Sequence, residues 1–136
     1  MKNYKKLQVV QNNAARMIYK KSKKTHVSPL LKELHWLPCE KRISYKLATI
    51  CYKCIHDDAP SYLKDLLHVY SPSRTLRSSS DTTRLIVPKM NLMTYGERAF
   101  VYSAPKVWNA LPQSLRDLKS LDLFKRHLKT FLFSEH

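Results

Sequence analysis

The chain has 136 residues, of which 25 are Lys or Arg and 10 are Asp or Glu, so its formal net charge is +15. No stretch approaches the roughly 20 apolar residues of a membrane-spanning helix, and the first residues lack the apolar run of a signal peptide. Three cysteines are too few for a disulfide scaffold and fit a reducing intracellular compartment, while a single glycine excludes the dinucleotide-binding and P-loop phosphate motifs.

The net charge predicts the class of partner. A charge of +15 opposes compact packing unless a polyanion supplies compensating charge. Nucleic acid is the commonest such partner, and an anionic membrane surface is the second. We therefore expect a single intracellular domain whose partner is RNA or DNA and not a membrane.

The first predicted helix covers residues 4–20, because its apolar residues recur every three or four positions. A basic cluster, Lys20-Lys-Ser-Lys-Lys24, ends it, and residues 1–24 contain eight Lys and Arg residues and no acid. The cluster is either a solvated turn or a phosphate-contacting arm, and the unbalanced charge favours the arm. The apolar stripe of the helix, predicted to face the core, consists of Leu7, Val10, Ala14, Met17 and Ile18.

Three more helical segments are predicted before residue 70. Ser28 is expected to cap a short helix with Pro29 at its first helical position, and Pro38 is expected to open the next helix. Asp58-Ala59-Pro60 should end that helix and begin another. The predicted inward residues are Ile43, Leu47, Ile50, Cys51 and Cys54 in the third segment, and Tyr62, Leu63, Leu66 and Leu67 in the fourth.

The middle of the chain differs from the helical parts on either side. Residues 71–83 are rich in Ser, Thr and Arg and predict a loop. Residues 85–88 are β-branched and end in proline, so they form at most an edge strand.

The last third returns to helical signals. Residues 96–102 predict a turn or short helix, Pro105 is expected to open another segment that Pro112 closes, and Ser120 is expected to cap a final helix. The inward stripe of this final helix consists of Leu121, Phe124, Leu128, Phe131 and Leu132.

The sequence predicts no catalytic residue, no metal site and no cofactor. Cys51 and Cys54, with Cys39 and His56, have a spacing that could suggest zinc, but both Cys51 and Cys54 fall in a helical apolar stripe, where cysteine acts as a small core residue. Asp57-Asp58 precedes Ala59-Pro60, a position that favours helix capping over metal binding.

The two tryptophans, Trp36 and Trp108, favour core packing over base stacking. No nucleophile, base and orienting group can be assembled, so we expect no enzyme.

An ordered series of short motifs covers residues 7–133. It resembles the C-terminal region of the reverse transcriptase polyprotein of non-LTR retrotransposons of the jockey and chicken-repeat-one type. The motifs are Leu7-Gln-Val-Val-Gln-Asn-Asn-Ala-Ala-Arg16, Leu34-His-Trp-Leu-Pro38, Arg42-Ile-Ser-Tyr-Lys46, Tyr52-Lys-Cys-Ile-His56, Ala59-Pro-Ser-Tyr-Leu63, Leu76-Arg-Ser-Ser79, Gly96-Glu-Arg-Ala-Phe100, Ala104-Pro-Lys-Val-Trp-Asn-Ala-Leu-Pro112 and Phe124-Lys-Arg-His-Leu-Lys-Thr-Phe-Leu-Phe133.

The resemblance implies a region without catalytic residues of its own. In such elements the endonuclease and the metal-binding aspartates of the polymerase lie upstream, and none of their motifs occurs here. The resemblance therefore implies a terminal piece of a longer protein that follows the thumb and helps to hold element RNA or target DNA.

Three interpretations follow from the sequence. The first is a mainly α domain of about six short helices that binds nucleic acid through the backbone, without sequence preference. It has a helical half (4–69), a loop or short strand pair (70–94) and a second helical half (95–134). The second is a structural domain that packs on the polymerase thumb through its apolar stripes, and the third is a degenerate element copy without activity. The phosphate contacts predicted by the first interpretation are Lys20, Lys21, Lys23, Lys24, Arg74, Arg77, Arg84, Lys125, Arg126 and Lys129.

Overall fold

The computed structural model describes residues 3–71, 83–89, 96 and 99–134. Seven helices lie within these residues, and the prediction of a mainly α chain is confirmed. The predicted loop of residues 71–83 falls almost entirely outside the described residues. The helices are α1 (Asn3–Ile18), α2 (Ser28–Glu33), α3 (Cys39–Ile55), α4 (Ser61–Lys64), α5 (Phe100–Asn109), α6 (Gln113–Arg116) and α7 (Leu121–Ser134).

The chain divides into two compact units. The first contains Met1–Tyr45 and Lys129–His136, and the second contains Lys46–Leu128. Helices α3 and α7 each contribute residues to both units.

The core of the first unit forms between α1 and α2. Ala15, Leu30 and Leu31 are buried there, and four partly buried side chains pack against them. This packing stabilises the unit because it removes apolar surface of both helices from contact with water. The partly buried side chains are Tyr19, Val27, Leu34 and Trp36.

The predicted inward stripe of α1 is wrong. Leu7, Val10 and Met17 are exposed by 62%, 66% and 78%, and the buried position of the helix is Ala15. The physical reason is that α1 packs through hydrogen bonds of its glutamines to the segment that begins α3. Gln8 Oε1 accepts from the Cys39 N–H at 2.7 Å, and Gln11 Nε2 donates to the Leu37 carbonyl at 2.9 Å. These bonds turn the apolar stripe away from the core.

The predicted cap of α2 is also wrong. Ser28 is the first helical residue, and Val27 occupies the N-cap position without a side-chain hydrogen bond. Pro29 lies within the first turn, where its missing N–H leaves no intrahelical bond unmade. The Leu31 N–H donates to the Val27 carbonyl at 2.9 Å, so the backbone begins the helix one residue earlier than predicted.

Three helices end with a residue in the left-handed conformation that is not glycine. Lys20, His35 and Asp57 have φ values of 49°, 53° and 60° and follow α1, α2 and α3. After each of them, the next N–H donates to a carbonyl five residues earlier, at 2.8 to 2.9 Å. This is the Schellman arrangement, which satisfies carbonyls at a helix end.

The prediction that Asp57-Asp58 caps the next helix is wrong. Pro60 occupies the N-cap position of α4 and there is no side-chain cap. Asp57 instead accepts from Lys64 Nζ at 2.8 Å, and Asp58 pairs with Lys53 at 3.6 Å. The hydrogen bond from Lys64, aided by its charge, lowers the pKa of Asp57.

The helix that follows is short and exposed. No residue of α4 is buried, and Tyr62 and Leu66 are exposed by 66% and 41%. The prediction that they face inward is wrong: Tyr62 lies in α4 and Leu66 just after it, and both side chains remain accessible to solvent. The predicted inward position of Ile43 is wrong as well, since its exposed fraction is 53%.

The core of the second unit contains a group of stacked rings. Tyr52 stacks on Phe124 with ring centroids 4.5 Å apart, and Phe124 lies 5.8 Å from Trp108. The Tyr52 hydroxyl donates to the Leu118 carbonyl at 2.8 Å, so its polar end is satisfied. Trp108 and Phe124 are fully buried, which confirms core packing for Trp108 and an inward position for Phe124.

Pro105 lies inside α5 and does not open a new segment, contrary to the prediction. Proline in a helix interior lacks one backbone hydrogen bond, at a cost of about 3 kcal/mol. Burial of Ala104, Pro105 and Trp108 on one side of α5 offsets this cost and keeps the helix continuous from Phe100 to Asn109.

The predicted edge strand is reduced to one β-bridge within the described residues, between Val69 and Leu85. Two side chains of α5 hold this segment. The Asn109 amide accepts from the Leu85 N–H at 2.9 Å and donates to the Leu85 carbonyl at 2.7 Å. Trp108 Nε1 donates to the Thr83 carbonyl at 2.7 Å.

Candidate nucleic-acid interface

Among the residues that the structure describes, the turn between α1 and α2 carries the densest group of exposed cations. Lys20, Lys21, Lys23 and Lys24 are all exposed. None of them forms an ion pair or side-chain hydrogen bond with another described residue. We call these four residues the lysine turn.

Local hydrogen bonds give the lysine turn a defined conformation. The left-handed backbone of Lys20 lets the Lys21 N–H donate to the Arg16 carbonyl at 2.9 Å. The Thr25 N–H donates to the Ser22 carbonyl at 3.1 Å, and the two hydroxyls lie 3.4 Å apart. Arg16 Nε donates to the Thr25 carbonyl at 3.2 Å and closes the turn.

No acidic residue precedes the lysine turn in the sequence. Glu33 is the first acidic residue of the chain. It interacts with Tyr19, whose pKa is raised by burial and then by the charge and hydrogen bond of Glu33. An exposed turn with four ammonium groups suits an anionic polymer, because an ammonium group can pair with a phosphate as a compact charge.

The structure thus brings together four of the ten predicted phosphate contacts. Arg74 and Arg77 lie outside the described residues. The remaining four lie outside the lysine turn. In the second unit, Arg84 and Arg126 are exposed and Lys125 is half-buried. Lys129 is half-buried in the first unit.

Sequence reasoning missed Arg116, a buried cation in the second unit that is only 3% exposed. Its Nε donates to the Leu111 carbonyl at 3.2 Å and one terminal nitrogen reaches the Thr83 hydroxyl at 3.4 Å. The bond to Thr83 joins α6 to the segment that Trp108 and Asn109 hold, which is a structural role. The signal in the sequence is weak, because an arginine after Leu115 resembles any other surface cation.

The two cysteines in the apolar stripe of α3 are core residues, as predicted. Cys51 and Cys54 are buried. Burial, followed by the neighbouring Cys54, raises the pKa of the Cys51 thiol to about 12, and burial also raises the pKa of Cys54. Among the described residues, no group of three or more His, Cys, Asp or Glu side chains is placed to hold a metal ion.

Trp36 packs partly buried against the core of the first unit, as predicted. In the ranges that the structure describes, no helix combines the length and apolar character that crossing a membrane requires. Comparisons with protein families, with curated proteins and with solved structures find no match to this chain.

Proposed function

We propose that this chain is a noncatalytic module that binds RNA or DNA through the phosphate backbone, largely without sequence preference. The observation that carries the proposal is the lysine turn, where four exposed ammonium groups lie on one hydrogen-bonded loop. The motif resemblance supports the same proposal, with the chain as the C-terminal region of a retrotransposon reverse transcriptase polyprotein and the polymerase portion as a partner.

The charge balance of the whole chain supports a polyanionic ligand. If all 10 acids were paired with cations, 15 of the 25 Lys and Arg residues would still lack an acidic partner. Contacts with phosphates release condensed counterions, and this release supplies most of the free energy of nonspecific binding. Such binding needs no base-reading side chain.

The experiment is an anisotropy titration of single-stranded RNA and of duplex DNA, each with two unrelated sequences, at low and at physiological salt. We expect binding at low salt that weakens steeply as salt rises and differs little between sequences. No binding at low salt would contradict the proposal, and a large difference between the two sequences would contradict backbone recognition.

A matched pair of variants tests the role of the lysine turn. The triple variant Lys21→Gln, Lys23→Gln, Lys24→Gln removes three charges from the turn, and the triple variant Lys32→Gln, Lys46→Gln, Lys119→Gln removes three exposed charges elsewhere. We expect the turn variant to lose at least about tenfold more affinity than the scattered variant at equal net charge. Equal losses would show that only the net charge matters.

A further inference from the structure

The exposed face of α1 is an apolar surface that the fold leaves uncovered. Leu7, Val10, Met17 and Ile18 are large apolar side chains exposed by 62%, 66%, 78% and 54%. At about 100° per residue they lie, with the half-buried Ala14, within one arc of about 100° on the helix. Single exposed apolar residues are ordinary, but a contiguous patch of this kind marks an interaction site.

The spacing of this face is that of a helix–helix contact. Leu7, Val10, Ala14 and Met17 follow one another at intervals of three, four and three residues, which are the a and d positions of a heptad repeat. A narrow seam of this type fits one facing helix. The seam covers about 15 Å of helix.

The charges beside the seam indicate the partner's chemistry. Lys6 occupies a position that flanks the seam, and α1 carries the cations Lys5, Lys6 and Arg16 and no acidic residue. Flanking residues of paired helices lie opposite each other and form ion pairs. A second copy of α1 would offer no acidic partner to Lys6, whereas acidic flanking residues would be complementary.

We propose that the exposed face of α1 binds an amphipathic helix whose apolar seam is flanked by Glu or Asp. This interaction is separate from nucleic-acid binding, because it depends on Leu7, Val10 and Met17 and not on the lysine turn. The partner helix covers the seam with about three turns.

The test uses the full chain and a labelled synthetic helix of three heptads, with Leu at positions a and d and Glu at e and g. A second peptide has Lys in place of Glu. Val10→Asn lies on the seam and is exposed by 66%, and Val9→Asn lies off the seam on the same helix and is exposed by 57%. Both variants change the helix propensity equally, so they form a matched pair.

We expect the acidic peptide to bind, the basic peptide to bind at least about tenfold more weakly, and Val10→Asn alone to lower the affinity for the acidic peptide about tenfold. Equal effects of Val9→Asn and Val10→Asn, or equal binding of both peptides, would overturn the proposal. Failure of the acidic peptide to bind would also overturn the proposal. In that case, a dimer of this chain that Val10→Asn abolishes would assign the face to a second copy, and binding to anionic phosphatidylserine vesicles that Val10→Asn abolishes would assign it to a lipid surface. Nucleic-acid affinity measured on the same variants separates this result from the proposed function, since Val10→Asn should leave it unchanged.

Discussion

At the scale of single residues, three helix ends store backbone strain. Lys20, His35 and Asp57 adopt positive φ, a conformation that costs a residue with a Cβ atom about 1–2 kcal/mol relative to glycine. The chain has a single glycine, Gly96, and it lies at none of these positions. The Schellman hydrogen bonds and the packing around each end therefore hold the strained residue in place.

The substitution His35→Gly should stabilise the protein. Glycine relieves the left-handed strain but loses more entropy on folding, so the expected net gain is about 0.5–1 kcal/mol in the free energy of unfolding. Urea denaturation measures it. His127→Gly is the matched control, because His127 is exposed within the regular helix α7 and glycine should destabilise it there. A loss of stability for His35→Gly would contradict the argument from strain.

Burial of two thiols sets the reactivity of the native chain. The pKa of Cys51 is raised to about 12, and the thiolate is the reactive form. At pH 8 we expect a thiol reagent to modify Cys39 in the folded protein and Cys51 and Cys54 only after unfolding. Mass spectrometry before and after addition of denaturant measures this. Modification of Cys51 in the folded state at the rate of an unfolded thiol would contradict its burial.

At the scale of elements, α5 holds the segment of residues 83–89 through its side chains. Asn109 satisfies both backbone groups of Leu85, a residue that is only 2% exposed. Asn109 thus takes the place of a neighbouring strand, and Trp108 adds the bond to Thr83. This arrangement explains why a segment with strand character pairs at one bridge only in the part of the chain that is described.

Asn109→Ala should leave the Leu85 N–H and carbonyl unpaired in a buried place. We expect a loss of about 2–3 kcal/mol in the free energy of unfolding and faster hydrogen exchange at Leu85. Asn13→Ala is the control, because Asn13 is an exposed residue within α1 and the change should be close to neutral. Equal stabilities of the two variants would show that the amide of Asn109 is not needed to hold this segment.

A comparison of α7 with α1 shows which buried positions of a helix the sequence can predict. The periodicity of residues 121–132 correctly predicts the buried positions Phe124, Leu128 and Leu132, which follow one another at intervals of four residues on one side of α7. The periodicity of α1 misleads, because its orientation depends on Gln8 and Gln11, whose partners lie 26 to 31 residues away. Long-range hydrogen bonds of this kind leave no local pattern in the sequence.

The candidate site was predictable to a similar degree. Charge counting alone identifies Lys20, Lys21, Lys23 and Lys24, since four lysines in five residues without an acid are visible in the sequence. The hydrogen bond from Arg16 to Thr25 that closes the turn depends on how α1 ends, which requires the left-handed Lys20. A lysine at that position is unexpected because glycine is the usual residue there.

At the scale of the whole molecule, the protein carries more positive charge than its own acidic residues can neutralise. Two described ion pairs, Lys53–Asp58 and Lys64–Asp57, involve exposed or half-exposed groups and contribute little to stability. The net charge of +15 must therefore be met by solvent ions or by a ligand. A nucleic-acid ligand would convert this self-repulsion into binding free energy.

The most direct test is the salt dependence of single-stranded RNA binding, compared between the lysine-turn variant and the scattered variant. Each phosphate contact contributes about 0.7 to the slope of log affinity against log salt. Removal of three contacts by Lys21→Gln, Lys23→Gln, Lys24→Gln should make the slope shallower by about 2, while the scattered variant should keep a slope close to that of the unmodified chain. Equal slopes for the two variants would contradict the claim that the lysine turn contacts the phosphates.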